Sequence, residues 1–151
     1  MKMSEPIRLT MTKIIKAKRA RVFEAWINPD LMRLWLAPGE LVAPSAESDA
    51  RVGGSFTIHM EGMMHGRFTK GVASGIYKQL VPNELVVLTW NWTGDYTPPK
   101  TLITVRFKDV EGGTEVTLTQ EGFGDEQHKT GYEAGWHSAF EKLSRATTET
   151  H

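Results

Sequence analysis

Apolar and polar residues begin to alternate near the start of the chain. Ile7, Leu9 and Met11 are each separated by one polar residue, which predicts a strand with one buried face. Over residues 17–28 the apolar positions recur at helical spacing instead, and the Asn-Pro pair at residues 28–29 ends that helix. The first strand is therefore followed by a helix rather than by a hairpin.

A second short helix is predicted directly after this Asn-Pro pair. Leu31, Leu34 and Trp35 supply its apolar positions. Asp30 can cap its N-terminus, and a Pro-Gly pair at residues 38–39 ends it. The sequence thus predicts two short helices after the first strand.

The middle of the chain alternates again and predicts a run of strands separated by turn residues. The predicted strands cover residues 41–49, 55–61, 67–80, 85–92, 101–110 and 114–122. Gly71 and Gly75 lie inside the third of these strands, where glycine marks a bulge or a bend of the sheet. A glycine pair at residues 112–113 predicts a tight hairpin turn between the last two strands.

The last segment is predicted to form one long helix, with Asp125 as its N-cap. Four apolar residues recur in it at intervals of four, four and three residues, which places them on one stripe. They are Tyr132, Trp136, Phe140 and Leu143. The order of one strand, two helices, about six strands and a long helix predicts the α+β class, with helices packed on an antiparallel sheet.

Length, charge and cysteine content bear on the number of domains, on nucleic-acid binding and on the expected location. A chain of 151 residues without cysteine can bury a core without disulfides, so we expect a single domain over residues 1–151 with its core at about 7–146. With 18 basic and 18 acidic residues the formal net charge is +0, which gives no field to gather nucleic acid. We find no apolar run that could span a membrane and no secretory signal, so we expect the cytoplasm.

Four stretches of the sequence are familiar. They are residues 20–26 with the Asn-Pro pair, residues 49–56 (D-A-R-V-G-G-S-F), residues 82–90 (P-N-E-L through T-W) and the Gly-Trp pair at residues 135–136. In these stretches the chain resembles the homologues of the activator of the 90-kDa heat-shock chaperone ATPase, within the START-like (SRPBCC) superfamily. The resemblance covers residues 7–143, with one departure where Arg21 replaces the family's usual proline.

The resemblance implies a helix-grip fold, as in the birch-pollen allergen: a curved antiparallel sheet of about six or seven strands around a long C-terminal helix. The co-chaperone that names the family carries an additional N-terminal domain, which we do not expect in this chain, so we do not expect it to stimulate the chaperone ATPase. The superfamily includes lipid and polyketide binders, cyclases and hydrolases, and the fold does not choose among them.

A sheet curled around a helix leaves an interior seam that can form a concave apolar pocket. We predict that nine inward-facing residues line a ligand cavity there. They are Phe56, Ile58, Met60, Trp90, Val105, Phe107, Leu118, Tyr132 and Trp136. Tryptophan and tyrosine combine an apolar body with a polar edge, which suits both a ligand wall and a core. The same residues could therefore fill the interior instead.

Motifs for other chemistry are absent from the sequence. The histidines have no zinc spacing, and the chain has no nucleophile elbow, so we expect no metal, no cofactor and no catalytic residues. His59 is predicted to face away from the interior, whereas His137 or Glu133 could act as a general base if either met a carboxylate in the cavity. Asp49 and Arg51 are expected to pair across the Gly-Gly turn at residues 53–54.

Three hypotheses for function follow. The first is a binding domain for a hydrophobic or aromatic small molecule. The second is an enzyme of the cyclase or hydrolase kind, which requires a buried ionisable residue in the same cavity. The third is a chaperone-interacting module, which requires an exposed apolar patch, for example around Met63, Met64 and Trp92. Self-association as a homodimer is also expected, because hydrophobic loop tips and a long strand edge need covering.

Overall fold

A computed structural model describes residues 7–64, 66–94 and 100–148 of the chain. Its elements follow the predicted order of one strand, two short helices, six strands and one long helix. They are β1 (Arg8–Ile15), α1 (Arg19–Glu24), α2 (Pro29–Trp35), β2 (Val42–Ser48), β3 (Ser55–Met64), β4 (Arg67–Val81), β5 (Leu85–Gly94), β6 (Thr101–Val110), β7 (Gly113–Glu121) and α3 (Glu126–Thr148).

All seven strands form one antiparallel sheet in the order β1-β7-β6-β5-β4-β3-β2. Strands β2 to β7 are a meander of neighbours, and the chain reaches β2 from β1 through the two short helices. The first strand closes the far side of the sheet by pairing with the last, with Leu9 opposite Gln120 and Met11 opposite Leu118. The expected helix-grip fold, a curved sheet around a long C-terminal helix, is confirmed.

The short helices differ from the sequence prediction in two details. The first ends at Glu24, and the chain continues to residue 28 as a tighter turn, in which the N–H of Trp26 donates to the carbonyl of Phe23 at 3.0 Å. The cap of α2 is Asn28 rather than Asp30, because the Asn28 side chain accepts from the N–H of Asp30 at 2.9 Å. Pro29 takes the first helical position, so Asp30 lies within the first turn.

Helix α3 has two halves with different packing. Asp125 caps it as predicted, since its carboxylate accepts from the N–H of His128 at 2.8 Å. Over residues 126–135 none of the side chains is buried, whereas the second half carries a buried stripe. That stripe is Trp136, Ala139, Phe140, Leu143 and Thr147. In the described part of the chain no helix is both long and apolar enough to cross a membrane.

The segment between α2 and β2 fastens the second half of α3. The N–H of Gly39 donates to the Ser138 hydroxyl at 2.6 Å. The Lys142 ammonium donates to the carbonyl oxygens of Ala37 and Leu41 at 2.6 and 3.2 Å. Burial, and secondarily the charge of Arg145, lower the pKa of Lys142. These contacts hold α3 to the main chain that leads into the sheet.

Glycines inside the sheet make room for aromatic rings. Gly71 lies directly under the Trp92 indole, and Gly75 lies against the Phe56 ring and the Thr89 carbonyl. The bulge that the glycines were expected to mark falls just beyond them, between Tyr77 and Gln79, where the register of β4 against β5 shifts. A side chain at either glycine would displace a ring from the inner face.

Gly75→Ala is expected to destabilise the fold, because the added Cβ would meet the Thr89 carbonyl and the Phe56 ring. Overpacking of this kind costs typically about 1–3 kcal/mol of unfolding free energy. Gly131→Ala is the matched control, since nothing lies within 4 Å of its Cβ position in α3, and it should stabilise by about 0.5–1 kcal/mol. Urea unfolding measures both changes, and equal stability of the two variants would contradict this packing.

Candidate ligand-binding site

The inner face of the sheet is apolar and meets all three helices. Alternate residues of each strand point to this face, and most of them are buried. From β3 to β7 the buried apolar set is Phe56, Ile58, Met60, Ala73, Tyr77, Val86, Leu88, Trp90, Trp92, Ile103, Val105, Phe107, Val116 and Leu118. Any molecule held between the sheet and α3 would contact members of this set.

Trp136 of α3 is the centre of an aromatic cluster on this face. Its ring centroid lies 5.8 Å from that of Trp90 on β5 and 6.0 Å from that of Trp26 after α1. The rings of Trp35 on α2 and Phe140 on α3 lie 6.3 and 6.1 Å from it. One side chain of α3 therefore contacts aromatic rings from the sheet, from α2 and from the turn after α1.

The cluster continues along the sheet from Trp90. The Phe56 ring lies 5.9 Å from that of Trp90 and 5.5 Å from that of Tyr77. A separate edge-to-face pair, Phe23 and Phe107, joins α1 to β6 with centroids 5.5 Å apart. Offset and tilted contacts at these distances are the favourable geometries for aromatic pairs.

A chain of neutral polar groups anchors Trp136 to the sheet. Its indole N–H donates to the side-chain oxygen of Gln120 at 2.8 Å. The amide nitrogen of Gln120 donates to the Thr101 hydroxyl at 2.8 Å, and that hydroxyl donates to the Trp90 carbonyl at 3.3 Å. All four residues are buried, so each bond is shielded from water.

A second set of hydrogen-bonded polar side chains lies where the turn after α1 meets β2 and β4. The Tyr77 hydroxyl donates to the Trp26 carbonyl at 2.9 Å, and the Ser48 hydroxyl donates to the Ile27 carbonyl at 2.7 Å. The two hydroxyl oxygens lie 3.1 Å apart but have only two protons for three contacts, so one contact lacks a proton at any moment. Burial raises the pKa of Tyr77, and the hydrogen bond with Ser48 partly opposes this.

Two buried indole N–H groups have no such anchor. The Nε1 atoms of Trp26 and Trp92 are shielded from solvent and have no hydrogen-bond partner among the described residues. An unsatisfied buried donor costs about 1–3 kcal/mol. The interior thus contains two donors whose pairing would stabilise the folded state.

The start of α3 forms the rim of this interior. Phe123, His128 and Tyr132 contact one another there, with ring centroids 5.2–5.6 Å apart. The N–H of Gly124 donates to Nδ1 of His128 at 3.4 Å. Burial lowers the pKa of His128, although the nearby Asp125 charge acts in the opposite direction. The rim is therefore aromatic, with its imidazole biased towards the neutral form.

Comparison with known proteins adds the family to this geometry. Residues 16–148 match the family described as Activator of Hsp90 ATPase homolog 1-like protein, AHSA1. The chain belongs to the AHSA1-like family. The family and the fold support a START-like ligand-binding or activator-like domain. No curated protein matches the chain significantly.

Solved structures share the AHSA1-like fold over nearly the whole chain. Protein CV1439 from Chromobacterium violaceum has a TM-score of 0.79 at 23% identity, with 95% of this chain and 98% of that one covered. The AHSA1 protein from Silicibacter pomeroyi has a TM-score of 0.78 at 20% identity, with 92% and 96% covered. The AHSA1-like protein from Aeromonas hydrophila has a TM-score of 0.70 at 19% identity, with 96% and 97% covered.

In this AHSA1-like chain the nine predicted cavity residues lie on or beside the inner face. Eight of them are buried, and Tyr132 is half-buried at the rim. The ring contacts bring Phe56, Trp90 and Trp136 together, whereas Phe107 pairs with Phe23 and Tyr132 with the rim. The ligand cavity itself stays a prediction.

The other sequence predictions have mixed outcomes. His59 is exposed on the outer face as predicted, and Asp49 pairs with Arg51 at 2.8 Å. His137, one of the two candidates for a general base in the cavity, is exposed. Strand β3 continues to Met64, past the predicted end at residue 61, while His65 and residues 95–99 lie outside the described residues.

Of the three residues expected to form an exposed apolar patch, Met63, Met64 and Trp92, only Met63 is exposed. Met63 is exposed, but Met64 is partly buried against the core and Trp92 is only 9% exposed, because its indole packs over Gly71 on the inner face. Phe68, the cross-strand partner of Met63, is the second exposed member instead. The error for Trp92 was avoidable, since Trp90 lies two residues away on the same strand and must share its face.

Sequence reasoning missed the polar anchor at Gln120 and Thr101. Leu118 on β7 was predicted to face inward, and the same period places Gln120 inward. A glutamine at an inward position is a signal for a buried polar contact, because an unpaired amide there is costly. Its partner Trp136 could not be deduced from spacing alone.

Gln120→Met is expected to lower the unfolding free energy by about 1–3 kcal/mol, because the Trp136 N–H loses its acceptor in the interior. Trp136→Phe removes the donor, and the double variant completes a cycle. The coupling between the two positions should be about 0.5–3 kcal/mol by urea unfolding. Additive effects of the two single substitutions would contradict the anchoring role.

Proposed function

We propose that this domain binds a small, predominantly apolar molecule between α3 and the inner face of the sheet. The observation that carries the proposal is the pair of buried indole N–H groups, Trp26 and Trp92, that have no partner among the described residues, in an interior whose other buried polar groups are hydrogen-bonded to one another. A ligand with a carbonyl, carboxyl or hydroxyl oxygen would supply the acceptor that these donors lack. Apolar walls with few polar groups are typical of small-molecule sites.

The first half of α3 is the element that would admit the ligand. Over residues 126–135 no side chain is buried, and the Cβ position of Gly131 faces open space. Lifting this half would expose little core, whereas the second half is fastened through Trp136 and Lys142. Segments with few buried contacts are those that open at low free-energy cost.

The buried polar side chains suit ligand binding better than catalysis. The buried polar side chains of the described residues are neutral threonines and a glutamine, joined by the Tyr77 and tryptophan donors. Such groups orient a ligand through hydrogen bonds. The fully buried side chains thus favour the binding hypothesis, whereas the enzyme hypothesis would rest on His128 at the rim, whose pKa burial lowers.

Three probes of similar size test the proposal: naphthalene, 2-naphthol and decanoic acid. We expect the oxygen-bearing probes to raise the melting temperature, since a ligand that binds only the folded state stabilises it. They should also shift the indole N–H signal of Trp26 or Trp92 downfield in ¹H–¹⁵N spectra. The naphthalene spectrum is the control for apolar contact without an acceptor.

Each of the variants Trp26→Phe and Trp92→Phe lacks one indole N–H signal, and the missing signal identifies the tryptophan it belongs to. The variant that lacks the contacting donor should bind 2-naphthol about 2- to 10-fold more weakly, which corresponds to one hydrogen bond, with unchanged naphthalene affinity. Trp136→Phe is the comparison, because that N–H already has a partner in Gln120. No change of melting temperature or of indole signals with any probe would overturn the proposal.

A further inference from the structure

An exposed apolar surface lies on the outer face of the sheet, at the β3–β4 end. Met63 and Phe68 are cross-strand partners with 46% and 58% of their surfaces exposed. Val42 on the neighbouring strand β2 is 59% exposed and pairs with Glu61, two residues from Met63. We call Val42, Met63 and Phe68 the hairpin patch. Exposed large side chains grouped in this way mark interaction sites more often than isolated ones do.

Opposite charges border the hairpin patch. Glu61 and Lys70 are cross-strand partners on the same face, next to Met63 and Phe68. Within the described residues neither of them forms an ion pair. Under a two-fold axis, one acidic and one basic side chain on a surface can each meet the opposite charge of a second copy.

A groove lies directly beside the patch on the same face. Its volume is about 450 Å³ and its lining includes apolar and glycine residues as well as the two charged ones. Its lining includes Pro44, His59, Glu61, Lys70 and Val72. A protruding phenylalanine and a groove thus stand next to each other, about two residues apart along β4.

The strand edge beside this face is blocked. Arg33 of α2 donates from Nε to the Ala43 carbonyl on β2 at 3.2 Å, and Pro44 follows with no N–H to donate. Between Val42 and Ser45 the register of β2 shifts. Covered carbonyls, proline and bulges all prevent another strand from adding to an edge. A partner is therefore expected to bind the outer face of the sheet rather than the edge of β2.

We propose that the hairpin patch and the groove form an isologous contact with a second copy of this chain. Phe68 of each copy inserts into the groove of the other, and Glu61 pairs with the partner's Lys70. A two-fold axis makes both contacts twice, because each surface carries a projection with its matching groove and a charge with its opposite. The formal net charge of +0 leaves no overall repulsion between the copies.

Sedimentation velocity over a concentration series tests this contact. Since three exposed side chains and one groove form a small interface, we expect a dimer at concentrations on the order of 100 µM that dissociates at a few µM. Phe68→Glu should weaken association at least tenfold. Ile76→Glu is the matched control, because Ile76 is exposed on the same face of β4 but away from the groove. Melting temperatures verify that both variants fold.

A charge exchange distinguishes this contact from general stickiness. E61K and K70E alone should each associate more weakly than the parent, since each places like charges opposite each other across the axis. An equimolar mixture of the two variants should associate again, because every charge then meets its opposite in the mixed dimer. A parent that stays monomeric, equal effects of Phe68→Glu and Ile76→Glu, or a mixture no tighter than its components would each overturn the proposal.

Discussion

The indole of Trp136 makes the contact on which the arrangement of this domain depends. Its ring touches Trp90 on the sheet, Trp35 on α2 and Trp26 in the turn after α1, and its N–H is fixed by Gln120 on β7. A bulky ring sets the distance between helix and sheet, and a directional hydrogen bond sets the rotation of the helix. Trp136 therefore marks the point at which the helix becomes held to the rest of the domain, and the Lys142 contacts continue that attachment towards its C-terminal end.

The position of Trp136 divides α3 into two halves that pack differently. Beyond Trp136 the helix contributes Phe140 and Leu143 to the core and binds the segment before β2 through Lys142. Before Trp136 its side chains cover the rim without being buried. The binding proposal uses this division, because a ligand must reach the inner face without separating the helix from the sheet. The outer-face contact through the hairpin patch is independent of it, since the sheet separates the two surfaces.

The periodicity of the sequence specified the sheet well, because alternation is a local property. Strand β6 lies where alternation predicted it, and the Asp125 cap and the Asp49–Arg51 pair follow from local chemistry. What could not be predicted depends on contacts between distant elements. The partner of Gln120, and the lack of one for Trp26, are set by how α1, α2 and α3 meet the sheet. Cavity residues and core residues have the same pattern in a sequence, so the nine predicted positions identify the face and leave its occupancy to experiment.

Amide hydrogen exchange along α3 tests most directly whether the helix opens in halves around Trp136. The amides of residues 131–135 should exchange at least about 100-fold faster than those of residues 139–145, a difference of about 2.7 kcal/mol in local opening free energy. A bound probe such as 2-naphthol should slow the first group and leave the second nearly unchanged. Uniform protection along the whole helix, with or without the probe, would contradict the account.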